Sequence, residues 1–352
     1  MAGNSNLHMS RASKTDEFYT QLSTIEDEIR HYRDYFKGKV VLCNCDDPYE
    51  SNFFKYFAMN FNSLGLKKLI ATCYATSPIA GSQLSLFDVV GFDKTSSEQR
   101  HPYKIVITEV RDENGDGAIN LSDIEYLLRN QNNVLTLLEG DGDFRSQECI
   151  ELLKECDIIV TNPPFSLMKE YIPLMVNSGK LFLILGNINH ATFNETFRYF
   201  KESKIWIGYN SGHFWFMVPD YYEVKDTDFK VDESGQKWRR MGNCCWFTNM
   251  DIEKRHQPLD LYKRYNPQEY PRYDTFEAIE CGHYNEIPKD TDKIIGVPIS
   301  YLAYHCDEQF EIVGEFRHGC DNEFDLAVPK VNGKSKYTRI AIRNRVPEKV
   351  GD

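Results

Sequence analysis

No C-x-x-C pair occurs among the ten cysteines, so the spacings of zinc ribbons and thioredoxin-type redox sites are missing. No apolar run approaches the ~18 residues of a membrane span, and the polar start lacks the apolar core of a signal peptide. A cytoplasmic protein with no membrane partner is expected. Internal repeats and low-complexity tracts are also missing. Positive charge is in short supply: 41 Lys and Arg face 53 Asp and Glu, a net charge of −12. An acidic total argues against general attraction to nucleic acid, although a DNA binder needs only a local basic surface.

What is present suits one large or two moderate domains: 352 residues, 41% apolar and 27% charged. Cys43, Cys45, Cys73, Cys244 and Cys245 fall in apolar runs, where a reduced thiol packs as a small hydrophobe. Cations gather in residues 330–349 and in Lys237-Trp238-Arg239-Arg240. Lys237, Arg239, Arg240, Lys334, Lys336, Arg339 and Arg343 are therefore candidate DNA contacts, an ordinary solvated face being the alternative. Cys281, His283, His305, Cys306, His318 and Cys320 match no zinc spacing, and no metal site is expected there.

The stretch 157–166, Asp-Ile-Ile-Val-Thr-Asn-Pro-Pro-Phe-Ser, organises the rest. Its first half is a buried strand by composition, and two prolines then end it, because neither can donate to a ladder. Pro163 biases Asn162 towards extended backbone, at a strand's carboxyl end, where open α/β sheets bind ligands. An amide oxygen at Asn162, a free carbonyl at Pro163 and the ring of Phe165 suit a planar group bearing an amine; Pro164 completes the rigid turn. A plain Pro-Pro turn is the competing reading.

The chain alternates strand and helix patterns around this point. A helix is expected over 16–36, a strand over 39–45 closed by Asp46-Asp47-Pro48, a helix over 51–64 and a strand over 67–74. The strand 134–138 ends in Glu139-Gly140-Asp141-Gly142-Asp143-Phe144, where glycines admit close ligand approach. Residues 204–209 and 213–218 read as two strands around Asn210-Ser211-Gly212, with Phe214 and Phe216 as core or as an aromatic wall. Residues 75–133 are too long for a βα connection and form an insert. Within it, Asp112, Asn114, Asp116, Gly117, Ile119 and Asp123 fall at positions 1, 3, 5, 6, 8 and 12 of an EF-hand-like calcium loop. Asn-Gly-Asp-Gly is equally a hairpin turn, and an accessory calcium at Asp112 to Asp123 is the less favoured reading.

Five short motifs in order resemble the EcoRI-type adenine-specific DNA methyltransferases: Asp16-Glu17-Phe18-Tyr19-Thr20, Cys43 to Pro48, Ser51 to Phe57, Gly140 to Ser146 and Thr161 to Ser166. The resemblance implies a Rossmann-like α/β sheet and transfer of a methyl group from S-adenosylmethionine to the 6-amino group of adenine in double-stranded DNA. It implies a catalytic domain over 1–250, carrying the insert, and a DNA-recognition region over 251–352. By the same resemblance, Asn162, Pro163, Pro164 and Phe165 hold the target adenine. Phe18, Tyr19, Thr20, Asp46, Asp47, Pro48, Asp141, Asp143 and Phe144 hold the cofactor. No glycine stands between Asp46 and Asn52, where methyltransferases of this class usually carry several, so that contact is implied by the family pattern alone. A cognate restriction endonuclease acting on the same site, without a stable complex, is a further implied partner. Two rival functions remain open at this stage: methylation of another planar amine (protein glutamine or RNA adenine), and calcium-dependent DNA binding.

Overall fold

The computed structural model describes residues 19–46, 51–73, 102–130, 135–218, 222–223, 227–319 and 323–349. It divides into two compact units, Met1–Gly186 with Gly212–Trp246 and Asn187–Ser211 with Phe247–Asp352. The resemblance implies one division at 250; the two units differ from it in that the chain enters the second unit at Asn187, returns to the first at Gly212 and re-enters the second at Phe247.

In chain order the large sheet contains β1 (Tyr19–Thr20), β2 (Val40–Cys43), β3 (Lys68–Cys73), β4 (Tyr103–Ile107), β5 (Leu135–Leu137), β6 (Ile158–Thr161), β7 (Leu181–Asn187), β8 (Trp206–Met217), β9 (Phe229–Val231) and β10 (Lys237–Thr248). Their order is β1-β8-β10-β7-β6-β2-β3-β4-β5, with β9 on β10. The neighbours β3, β2, β6 and β7 run parallel. Flanking pairs β1–β8, β9–β10, β3–β4 and β4–β5 are antiparallel. The fold is thus the α/β methyltransferase-like sheet expected, with β3, β2, β6 and β7 as its parallel centre.

That centre follows from sequence. Every residue of Val40–Cys43 and Ile158–Thr161 is buried, the continuous burial of strands covered on both faces. Between β2 and β3 lies the helix Asn52–Met59, whose inward face carries Phe53, Phe54 and Phe57. Ser51 caps it by accepting from the Phe53 amide at 3.1 Å. The helix Met168–Ser178 links β6 to β7 and stops at Gly179, whose φ of 67° is the left-handed cap that glycine tolerates.

Three local expectations are corrected. The two strands read over 204–209 and 213–218 are one, β8 (Trp206–Met217), because the inward and outward alternation continues through Asn-Ser-Gly. Tyr19–Thr20 is a short strand paired with Met217 and Phe216, and helix begins only at Leu22. β5, which the sequence pattern gives as a core strand, lies at the sheet edge against β4.

The second unit holds β11 (Ile279–Glu280), β12 (Ile295–Pro298), β13 (Phe310–Phe316), β14 (Asp325–Ala327), the small hairpin β15 (Lys330–Val331) and β16 (Lys334–Ser335), and β17 (Arg339–Asn344). Its sheet order is β11-β12-β17-β13-β14. Tyr273 stacks on Phe316 with ring centroids 4.4 Å apart. Its hydroxyl donates to Glu280, which also accepts from the Arg339 guanidinium at 2.9 and 3.0 Å. The Tyr273 ring passes directly over Gly296: a Cβ built there would lie 2.7 Å from Tyr273 Cζ.

Gly296→Ala should therefore destabilise the protein by about 1–3 kcal/mol, since the ring is stacked and cannot yield. A urea denaturation series checks this, and an unchanged midpoint would mean that Tyr273 has room to move.

Candidate active site

Thr161 is the last residue of β6 and is fully buried. Its hydroxyl donates to one carboxylate oxygen of Asp46 and accepts from the Cys45 amide at 3.2 Å. The other Asp46 oxygen accepts from the Ser51 hydroxyl at 2.7 Å. One carboxylate, 5% exposed, thereby ties the ends of β2 and β6 to the start of the helix Asn52–Met59. Asn52 extends the tie, its side-chain amide donating to the Thr20 carbonyl at 2.7 Å.

Asn162, half-buried, follows immediately, and Pro163 and Pro164 add no donors. The chain then turns through a short 3-10 segment, Phe165–Leu167, closed by the Leu167 amide on the Pro164 carbonyl at 2.9 Å. Phe165 is only 6% exposed, so stacking a planar group on its ring requires the surrounding side chains to give way.

The helix that follows returns Tyr171 to the same place. Its buried hydroxyl donates to the Asn44 side-chain oxygen, and its ring meets Phe144 edge-on at 4.9 Å. Burial, the larger influence, pushes the Tyr171 hydroxyl well above its ordinary range. Phe144 carries the Arg145 guanidinium over its face at 5.1 Å, and Arg145 forks onto Asp143 at 2.7 and 2.8 Å. Hydrogen bonding to Arg145 outweighs burial and holds the Asp143 carboxyl below its usual range. Asp141 is exposed and accepts from the Asp143 amide at 2.9 Å.

Thr20, Asp46, Phe144 and Asn162 are thus linked by a continuous set of contacts through Asn52, Ser51, Thr161, Asn44 and Tyr171. Asp46 organises this set: both its oxygens are already used within the fold. Phe18, Asp47 and Pro48 lie outside the described residues. Asn44, Ser51, Asn52 and Tyr171 are not among the site residues named from the sequence, although the first three stand inside the motifs Cys43 to Pro48 and Ser51 to Phe57; nothing local marks Tyr171. Two buried polar atoms here, Thr20 Oγ1 and Asn44 Nδ2, have no hydrogen-bond partner. Orphaned groups of this kind are costly without a partner, and they suit a ligand rich in hydroxyls and ring nitrogens. S-adenosylmethionine is such a ligand, and the donor set fits it. Cys43 and Cys45 are raised well above their ordinary range, chiefly by burial, so both stay protonated and neither is poised as a nucleophile.

The candidate DNA cations divide by their neighbours. Lys237 donates to the Tyr222 carbonyl at 3.1 Å, Arg239 donates to the Thr227 carbonyl, and Arg240 sits 3.7 Å from Asp228. Arg343 lies 3.7 Å from Glu311. Arg339 is corrected: its side chain is 11% exposed and held by Glu280, so it belongs to the interior and not to a phosphate surface. Lys334 is exposed and Lys336 half-buried.

The loop from Asp112 to Asp123 spends its carboxylates on its own amides. Asp112 accepts from Gly115, Asp116 and Gly117; Asp123 accepts from Glu113, Asn114 and Asn120. Among the described residues no group of three or more His, Cys, Asp or Glu could hold a metal ion. Nor is any helix among them long and apolar enough to cross a membrane.

Residues 6–345 match the family described as "Adenine-specific methyltransferase EcoRI". The chain is 43% identical over 348 residues to the Type II methyltransferase M.EcoRI of Escherichia coli, covering 98% of each protein. It is 33% identical to the Type II methyltransferase M.MpnI of Mycoplasma pneumoniae, over 95% of this chain and 97% of that one. Against the Type II methyltransferase M.MgeORF184P of Mycoplasma genitalium the identity is 31%, over 96% and 99%. No solved structure matches significantly.

Replacing Thr161 with Val should remove a donor from a buried carboxylate and cost about 1.5–3 kcal/mol. Urea denaturation of the two proteins measures it; a loss below about 0.5 kcal/mol would show that the Asp46 tie is dispensable.

Proposed function

Given that the chain belongs to the EcoRI family of adenine-specific methyltransferases, we propose that Asn162 and Pro163 are the groups that act on the target amine. The protein is a DNA adenine methyltransferase of the restriction-modification type, and its methyl donor is S-adenosylmethionine. Bound there, the donor supplies a methyl group already activated by its sulfonium. The chain's own task is to present the amine.

A ring-conjugated amine is a poor nucleophile because its lone pair is delocalised. Hydrogen bonds from its two N–H groups to the Asn162 side-chain oxygen and the Pro163 carbonyl favour a tetrahedral nitrogen with a localised pair. Phe165 takes the base by stacking once the base has left the duplex. Tyr19, Thr20, Asp141, Asp143 and Phe144 would hold the donor, with Asn44 added from the structure. The observation that carries this reading is the buried tie from Thr161 through Asp46 to Ser51, which fixes the residue before Asn162 against the neighbouring strand end.

The wider assignment follows the same logic. The first unit is the catalytic part, and Phe247–Asp352 with Asn187–Ser211 is the part that reads DNA. The enzyme works in the cytoplasm alongside a restriction endonuclease of the same specificity, without a lasting complex.

Asn162→Ala should lower turnover on the order of 100-fold or more while leaving donor affinity within a fewfold, by analogy with other preorganised polar groups. Adenine methylation of plasmid DNA from an otherwise methylation-free host gives the activity, and equilibrium titration with labelled donor gives the affinity. Lost donor binding with turnover kept at saturating donor would remove Asn162 from this role. Asp143→Ala should do the opposite, weakening the donor and sparing DNA affinity.

A further inference from the structure

We infer that the β15–β16 hairpin, with Tyr337 at its exit, is a ribbon that enters a groove of the DNA and reads bases there. The inference rests on the methyltransferase reading above and names the element of the second unit that recognises the substrate.

The hairpin is built to hold one shape. Lys330 pairs with Ser335 and Val331 with Lys334 around a two-residue turn, Asn332-Gly333. Both turn residues are left-handed, φ 50° and 73°, the combination whose twist matches its strands. Asp274 clamps the turn, its two oxygens accepting from the Asn332 and Gly333 amides at 2.9 and 2.8 Å. The Asp274 amide donates to the Lys330 carbonyl at 2.9 Å, and the Lys336 amide to the Pro329 carbonyl at 2.7 Å. Val331, buried, pins one strand to the sheet beneath.

What this rigid ribbon displays is charge and one ring. Between Asp325 and Glu348 there is no acidic residue. Among the described residues, Lys330, Lys334 and Lys336 have no carboxylate at ion-pair distance, whereas Arg339 and Arg343 of the adjoining strand do. Tyr337 is 88% exposed, the most exposed large apolar side chain described. In a protein of net charge −12, three unpaired ammonium groups on one hairpin, with a ring left in water at its exit, complement a polyanion. A major groove admits a two-stranded ribbon, with lysines on phosphates and the ring against base edges.

The test uses the full-length protein. Single-molecule sequencing of DNA from a methylation-free host first identifies the sequence methylated by the wild type. Fluorescence anisotropy then compares DNA carrying that sequence with a scrambled duplex across a salt series. The double variant K330Q/K334Q should weaken both duplexes alike and reduce the slope of log affinity against log salt by about 0.9 per lost contact. Tyr337→Ala should narrow the ratio between the two duplexes about tenfold and spread methylation to sites differing at one base. Neither should alter donor affinity or the melting temperature. If both variants keep the wild-type slope, ratio and methylated sequence, the ribbon has no part in recognition and the methyltransferase reading stands. If the wild type methylates no adenine, the methyltransferase reading itself fails, and this inference with it.

Discussion

A carboxylate buried to 5% exposure cannot be left without partners, and the site is arranged around that requirement at Asp46. A charge at such depth is several kcal/mol unfavourable unless hydrogen bonds replace its water. The partners are hydroxyls from two different elements, Thr161 at the end of β6 and Ser51 at the start of a helix. Satisfying one ion therefore locks three backbone segments in register. Asn162 is the next residue after one of those partners, so its position is inherited from a structural need that involves no substrate. A site whose polar groups are already placed loses little free energy to reorganisation when the reactants arrive.

Around this clasp the residues grade from scaffold to contact. Tyr171 and Asn44 form a second buried pair, and Phe144 closes over the tyrosine ring. Arg145 keeps Asp143 ionised and turned along the loop. The acidic turn from Glu139 to Phe144 is thus ordered by a cation that the same short segment supplies.

Much of this was legible in the chain itself. The apolar runs of β2 and β6 and the double proline after Asn162 are strong local signals, since burial and missing donors leave few alternatives. The order of the motifs pointed to the family. What was not legible depends on distant partners. Nothing in the local pattern distinguishes Arg339 from Arg343, yet Glu280, 59 residues away, draws one inward. From sequence Asp46 reads only as a cofactor contact, because the two hydroxyls that bond to it lie 5 and 115 residues away. Asn-Ser-Gly at 210–212 promised a turn, but strand continues through it. Cation density found the basic segment, whereas only the fold separated its free lysines from its structural arginine.

The interleaving of the two units bears on how the molecule comes into being. The helix Asn194–Lys201 presents Phe197 and Phe200 to an interior that Phe310–Phe316 helps to build, and Lys201 donates to the carbonyls of Ile312 and Val313. These partners leave the ribosome more than a hundred residues after the helix does. Until then two aromatic side chains wait without their cover while the chain goes back to complete the first unit. A nascent chain starts its second unit before it has finished its first, and a fragment cut anywhere between 212 and 310 keeps the helix but not the strand that covers it. The first unit is whole once Trp246 has been made, but the second, begun at Asn187, stays incomplete almost to the end of synthesis, a vulnerable interval that a simple tandem arrangement would avoid.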